Sequence, residues 1–437
     1  MNKTVILIVF STILSLIGYY YLANEVLRTD HSKLFSIYAV LVVLFAVFVW
    51  GRRKIKWQWF LVIGIGFRIL FVPETPRLSD DFYRFVWDGK LQLKGESAFE
   101  SKPIDLPGFK SQEVVSQFPN GMNSASYYSI YPYTLQPLFL LSVLGENDLG
   151  LSTIYLKVSM LLFEIMSFLL LLKILAAEEL DRSLVVLYWL NPMVIIELCG
   201  NLHFEGVAIF FLLLTIFYLR KNQVSKGGIA LVLAIGAKLT PVFLLGASFR
   251  NFKPRNIAKF YAIVISLTVG FFVLSVGLGN LRNFWESFTL YFEKFEFNAP
   301  IYSSLHWLVE QSTNTDIADK VRPLLSLLFL IGAAFISLKK TEHSVALKLL
   351  WIYCLYFLTA QVVHPWYLTL LIPLAIITQR LYPIVWAILA FFSYNAYHEH
   401  DIFSENLTLN LLVVVMVIFL IYTEEYKKVN LFKRIFI

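Results

Sequence analysis

Two adjacent carboxylates open the stretch Ser79-Asp80-Asp81-Phe82-Tyr83-Arg84-Phe85-Val86-Trp87-Asp88-Gly89. Ser79 suits an N-cap and Gly89 a C-terminal stop, so the spacing predicts a short helix between them. On that helix Asp81, Arg84 and Asp88 fall at i, i+3 and i+7 on one face, with Tyr83 and Trp87 at i and i+4. A helix start favours negative charge. The pattern has two readings. Arg84 pairs with its acidic neighbours and steadies the helix, or the carboxylate pair accepts a proton from a substrate hydroxyl. Asp80 and Asp81 could also hold a divalent cation, but an acidic helix start is weak grounds for a metal.

Other polar groups interrupt apolar runs. Asn191-Pro192 is followed by Glu197, Asn201, His203 and Glu205; Lys238-Leu239-Thr240-Pro241 breaks another run; His364-Pro365-Trp366-Tyr367 joins two more. Ionisable groups in such places are costly and persist as structural pairs or for function. A structural pair is the simpler reading of Glu197. Lys238, His203 and His364 are expected to face one cavity. Cys199 and Cys354 lie in apolar runs and read as buried thiols. No Cys/His cluster has zinc spacing, and no Walker or dinucleotide glycine motif is present.

The elements that carry these residues follow from composition. The 437-residue chain is 58% hydrophobic and only 15% charged, against about 25% charged in a soluble domain. A soluble enzyme, a disordered chain and a fibrous one are excluded, leaving an all-α polytopic membrane protein. The apolar run after Lys3 is too long for a leader h-region and lacks an A-x-A site, so it reads as a retained first span. Expected spans are 4–23, 34–50, 57–72, 150–173, 183–201, 204–219, 256–276, 322–338, 345–363, 365–378, 381–397 and 407–423, about twelve transmembrane helices. Segments 51–56, 220–227, 250–259 and the tail after 423 carry the clustered Lys and Arg, and the positive-inside rule assigns them to the cytoplasm. Segment 73–131 has eight acids and six bases, and 277–321 has six acids and three bases. Both are expected outside, as large extracytoplasmic loops. The charge pattern then requires 228–249 to enter and return, re-entrant around Pro241, and 132–145 to stay on the outer side without crossing. The net charge of +7 belongs to these cytoplasmic turns; no nucleic-acid partner is expected.

Five segments in order carry a resemblance: Ser79-Asp80-Asp81-x-Tyr83-Arg84-x-x-Trp87-Asp88-Gly89, Ile130-Tyr131-Pro132-x-x-x-Gln136, Asn191-Pro192-x-Val194-Ile195-Ile196-Glu197-x-x-Gly200-Asn201-x-His203, Lys238-Leu239-Thr240-Pro241, and His364-Pro365-Trp366-Tyr367. Together, from about residue 57 to 397, they resemble the GT-C superfamily of integral-membrane glycosyltransferases, specifically bacterial polyprenol-phosphate-mannose-dependent mannosyltransferases. The resemblance implies one GT-C-like domain over 1–437, with 73–131 as an extracytoplasmic catalytic loop and 277–321 as a second outer loop. It implies a polyprenyl-phosphate-linked donor of mannose or another hexose, its tail in a groove open to the bilayer, and an extracytoplasmic glycan or glycolipid acceptor. The implied catalytic residues are Asp81, preferred as general base, and Asp80, which could exchange roles with it. Implied substrate contacts are Arg84, Asp88, Tyr131, Asn201, His203, Lys238, His364, Trp366 and Tyr367. The chain departs from the pattern at Gly95-Glu96-Ser97-Ala98-Phe99, at Tyr133 and at Phe204-Glu205. The expected place is the cytoplasmic (inner) membrane, with both termini cytoplasmic and the site extracytoplasmic. A lipid-linked-sugar transporter or flippase, and an oligosaccharide ligase, are the rival readings; polar residues gathered at the outer face speak against a transporter, whose sites lie near the midplane.

Overall fold

In the computed structural model the described residues are 3–106, 122–313, 318–339, 344–398 and 406–437. Among them the chain is helical, and its one isolated bridge joins Phe297 to Val362. Uninterrupted apolar sequence dictates this, because in hydrocarbon a backbone must bond within its own segment.

Six helices are long and apolar enough to cross a membrane: Lys3–Asn24, His31–Lys54, Leu149–Ala177, Pro254–Val276, Lys320–Leu338 and Leu407–Tyr426. A seventh span is possible by length if Arg182–Trp189 and Pro192–Gly200, bent by 51°, count as one. The bend falls at Asn191, whose side chain accepts from the N–H of Met193, where Pro192 has no N–H to give. The expected twelve spans are thus not twelve long helices. Several apolar segments form shorter ones, among them Trp57–Ile69, Val224–Ala237, Val345–Thr359, Pro365–Thr378 and Tyr382–Ala396.

Burial differs sharply between helices. The long helices Pro254–Val276, Lys320–Leu338 and Leu407–Tyr426 present most of their sides outward, as a lipid-facing ring requires. The short helices fill the centre: every residue from Leu371 to Ile377 is buried, and ten of the fourteen from Val224 to Ala237. A 13–16-residue helix spans about 20–24 Å at ~1.5 Å per residue, less than the ~30 Å of a bilayer core.

Two ends of the bundle are defined by contacts. At the basic end Arg53 pairs with Asp181 at 2.8 Å, Arg220 with Glu178, and Arg380 with Glu425 at 2.6 Å. Arg52 donates to the Phe436 carbonyl, and Glu424 accepts from the backbone of Leu381 and Phe432. At the other end, the site end, lie the segments that sequence reading singled out.

We label α1 (Lys3–Asn24), α2 (His31–Gly51), α3 (Trp57–Ile69) and α4 (Asp81–Leu93). Helix α3 is fixed by a buried ion pair, Arg68 to Glu164 at 2.6 Å, with Arg68 also donating to the carbonyls of Gly64 and Trp189 and lying 3.8 Å over the Trp189 ring. Two turns further along the 149–177 helix toward the site end, Lys157 donates to the carbonyls of Phe71 and Glu74 at 2.8 and 2.6 Å. These contacts aim the turn that leads into α4.

The expected break at Lys238 is present. The Val224–Ala237 helix ends there, Lys238 is extended (φ −147°, ψ 143°), and the chain turns back through Thr240–Val242 into Phe243–Ser248. Segment 132–145 forms Gln136–Phe139 and Leu140–Gly145, too short to cross. Tyr133 and Thr134 anchor it by donating to the carbonyls of Val232 and Leu233. The two large loops are joined: Lys102 pairs with Glu286 at 2.8 Å, the Tyr128 N–H donates to Ser287, and Asn283 donates to the Phe99 carbonyl.

Candidate functional site

Helix α4 begins one residue later than its sequence suggests. Asp80, not Ser79, sits at the N-cap position, and its side chain makes no cap bond. Ser79 supplies the cap from one residue back, its Oγ accepting from the Asp81 N–H at 3.3 Å. Asp80 is instead held by Arg28, from the α1–α2 turn, at 2.6 Å. Arg28 also lies 4.9 Å over the ring of Tyr397. The Asp81 carboxylate, half-buried in the first turn of α4, has no ion-pair partner among the described residues. Burial holds the Tyr397 phenol protonated, well above its ordinary range, despite the opposing charge of Arg28.

Gly89 does not stop the helix. Helix α4 runs on to Leu93, and Gly95 (φ 74°) takes the left-handed position beyond it. Gly89 serves close packing: a Cβ there would stand 2.2 Å from the Phe139 carbonyl oxygen.

The polar face of α4 turns inward. Arg84 and Asp88, both buried, pair at 2.7 Å. Arg84 further donates to the carbonyls of Ser124, Tyr127 and Ala98, while Asp88 accepts from Ser129 at 2.6 Å and Gln136 at 3.3 Å. Each of these donors and acceptors is committed to protein. Tyr131 packs edge-on against Phe85 and Phe139, and its carbonyl accepts from Gln136.

A second polar group faces the start of α4. The His203 Nε2 lies 3.1 Å from Ser79 Oγ, and its Nδ1 lies 3.0 Å from Glu197 Oε2. Glu197 Oε2 also accepts from Asn201 at 3.1 Å and Tyr394 at 3.2 Å. Glu197 sits in a π-helical turn, Ile195–Gly200, which brings residues five apart into bonding register. The His203 ring stacks on Trp366 at 3.7 Å between centroids, and His364 stacks on Trp366 at 4.3 Å. Phe297 backs His364 at 4.5 Å, pinned there because its backbone bonds to Gln361 and Val363. Two residues past His203, Glu205 pairs with Lys238 at 2.7 Å, and Lys238 stands 5.0 Å over the Tyr367 ring. Burial pushes the His364 imidazole well below its ordinary value, and nearby His203 and Lys238 add to this; the ring is neutral.

The expected site residues thus separate into two groups. Asp80, Asp81, Asn201, His203, Lys238, His364, Trp366 and Tyr367 converge from four segments on one recess at the site end. Arg84 and Asp88 lie beneath it, bonded to the 98–136 loop, and Tyr131 lies in the aromatic packing at its side. Sequence reading missed Arg28 and Tyr397; Glu197, read there as a structural pair, bonds to His203, Asn201 and Tyr394. Arg28 had a signal: it is an arginine in a short turn opposite the basic end, where the charge rule makes cations scarce. As for a cation site, no group of three His, Cys, Asp or Glu side chains is placed to hold a metal among the described residues, and Asp80 already has Arg28. The donor set does not fit a metal, and no step below uses one.

The fold and this recess define a polytopic, all-helical membrane protein with a polar site at one end of its bundle. Over residues 11–250, more than half of its length, the chain matches the family described as alpha-(1->6)-mannopyranosyltransferase, N-terminal domain, and it belongs to that family. It is a glycosyltransferase, as the five-segment resemblance implied. The matched region contains Asp80, Asp81, His203 and Lys238 and stops short of His364. No curated protein and no solved structure matches the chain.

Proposed function

We propose that this glycosyltransferase moves a mannosyl or related hexosyl unit from a polyprenyl-phosphate donor to a hydroxyl of an extracytoplasmic glycan or glycolipid. The observation that carries the reading is the asymmetry of the acidic pair: Asp80 is neutralised by Arg28, while Asp81, in the first turn of α4, has no ion-pair partner among the described residues. Groups whose surroundings differ in this way take different roles.

The reaction is a single displacement. The acceptor oxygen forms its bond to the anomeric carbon as its proton passes to Asp81. The bond from that carbon to the phosphate oxygen breaks, and its electron pair leaves with polyprenyl phosphate. A general base contributes ~10²–10⁴-fold; alignment of the two substrates and stabilisation of the leaving phosphate supply the remainder. Lys238 is the cation for that phosphate, with neutral His364 as a hydrogen-bonding neighbour and Tyr367 shielding the pair from water. Asn201 and His203 hold the start of α4 through Glu197 and Ser79, and Trp366 holds the rings of His203 and His364 in place by stacking. Arg84, Asp88 and Tyr131 act through the loop they fix.

The short central helices support a lipid donor. Helices of 13–15 residues are shorter than the hydrocarbon core is thick, which leaves room at one end for a phosphate at headgroup depth. The basic turns at the opposite end support an extracytoplasmic site in the cytoplasmic membrane, both termini inside. The test is transfer by purified protein in detergent or nanodiscs, offering polyprenyl-phosphate mannose and a nucleotide-linked mannose in parallel to a mannoside acceptor. A new glycosidic bond from the lipid donor alone is expected. Use of the nucleotide sugar alone, or lipid movement without a new bond, would refute the reading.

A further inference from the structure

Glu205 is a buried carboxylate that protein atoms satisfy only in part. It is 3% exposed at the first position of the Glu205–Arg220 helix. Oε1 faces Lys238 Nζ at 2.7 Å as an ion pair, and neither Oε1 nor Oε2 accepts a hydrogen bond. Nearby, Glu197 Oε1 and His364 Nδ1 are also buried without a partner. Buried polar atoms are otherwise nearly always satisfied, so three such side chains around one aromatic stack mark a place where polar atoms of a ligand belong. A carboxylate only accepts. Its missing partners are therefore donors, and a sugar supplies them as hydroxyls.

We propose that Glu205 accepts a hydrogen bond from the 2-hydroxyl of the transferred hexose and thereby sets the donor-sugar preference. The inference rests on the reading that Lys238 holds the donor phosphate. The ammonium has three N–H donors and meets Glu205 as an ion pair on one side, leaving donors for phosphate oxygens. In a glycosyl phosphate the hydroxyl on the carbon next to the anomeric centre is the one closest to the phosphate. A carboxylate touching the phosphate's ammonium therefore reaches the 2-hydroxyl before any other. Mannose carries this group axially and glucose equatorially, so a contact at this atom reads the sugar's identity. It also strengthens as the anomeric carbon gains positive charge, as hydrogen bonds to 2-hydroxyls do in glycosyl transfer. The same carboxylate pairs with Lys238.

The test compares polyprenyl-phosphate mannose with its 2-deoxy and 6-deoxy analogues, taking the ratio of kcat/KM within each purified variant so that overall losses cancel. The 2-deoxy donor is intrinsically the more reactive, because it lacks an electron-withdrawing oxygen beside the reacting carbon. Slower transfer of it reports a lost contact. Wild type is expected to disfavour the 2-deoxy donor by about tenfold or more, as a charge-assisted hydrogen bond warrants, and to be nearly indifferent to 6-deoxy. Glu205→Ala should bring the 2-deoxy ratio close to one. Glu205→Gln, which keeps shape and one acceptor, should fall between, and it decides the matter if the alanine variant elutes as aggregate. Undiminished 2-deoxy discrimination in the folded variants, or none in wild type, would overturn the assignment while leaving the lipid-phosphate reading intact. Transfer by wild type from nucleotide sugars alone would instead remove that reading, and this inference with it.

Discussion

Asp80 and Asp81 are chemically identical neighbours, and their surroundings give them different work. Arg28 holds Asp80 at 2.6 Å and stacks over Tyr397, so the pair presents one free carboxylate rather than two. Removing Arg28 leaves Asp80 an uncompensated charge beside the base. Arg28→Ala should lower kcat by about 10–100-fold, as expected when one charged contact in a preorganised site is lost, while donor KM changes less. Steady-state transfer with varied donor checks this; unchanged kcat would show that the Arg28 contact is incidental. Lys238→Ala should do the reverse at the donor, raising its KM more than the acceptor's, because a charge-assisted phosphate contact is lost. Equal effects on both substrates would speak against a phosphate role. These contacts were only partly legible in the sequence. The DD pair, His203 and Lys238 announce themselves by type and place. Arg28 and Tyr397 come from chain segments 52 and 317 positions away from Asp80, and no local pattern links them.

Helix α4 shows what a short element needs in order to hold a base still. Its faces are buried from Phe82 to Gly89, so its charged pair had to be satisfied inside. Arg84 and Asp88 do this by clasping the loop carbonyls of Ala98, Ser124 and Tyr127 and the side chains of Ser129 and Gln136. Asp88→Ala strands a buried guanidinium, which should cost ~3–5 kcal/mol and appear as a lower unfolding midpoint and poor yield; a midpoint within a degree of wild type would contradict the clasp. Gly89→Ala puts a methyl 2.2 Å from the Phe139 carbonyl and should cost ~1–3 kcal/mol by forced backbone shift, readable in the same melt. The sequence suggested a helix here and missed both its ends. A serine before two aspartates offers three capping residues in a row, and Arg28, far along the chain, decides which one is free to cap. Gly89 resembles a stop because a glycine's two uses, left-handed turn and close approach, look alike in sequence.

At the scale of the molecule, apolar content and breaks at Pro192 and Pro241 foretold a helical membrane bundle, and the positions of those breaks were found. The span count was less legible: an apolar run of 13–16 residues looks like a span in sequence, and only packing shows that it ends inside a ring of longer helices. Orientation is open to direct measurement. Single cysteines at Lys94 and Lys221 should differ with an impermeant thiol reagent on intact cells, Lys94→Cys labelled and Lys221→Cys protected; the opposite pattern would place the site in the cytoplasm. The central claim, however, is that a bound lipid-phosphate sugar is attacked by a hydroxyl whose proton goes to Asp81. It is tested most directly by single-turnover transfer with purified Asp81→Asn, alongside a measurement of donor binding. Asparagine keeps the size and the helix start but cannot take up the proton. The expected result is unimpaired donor binding and transfer slowed by at least ~10²-fold, with Asp80→Asn less affected. Near-wild-type transfer by Asp81→Asn, with donor bound, would contradict the account.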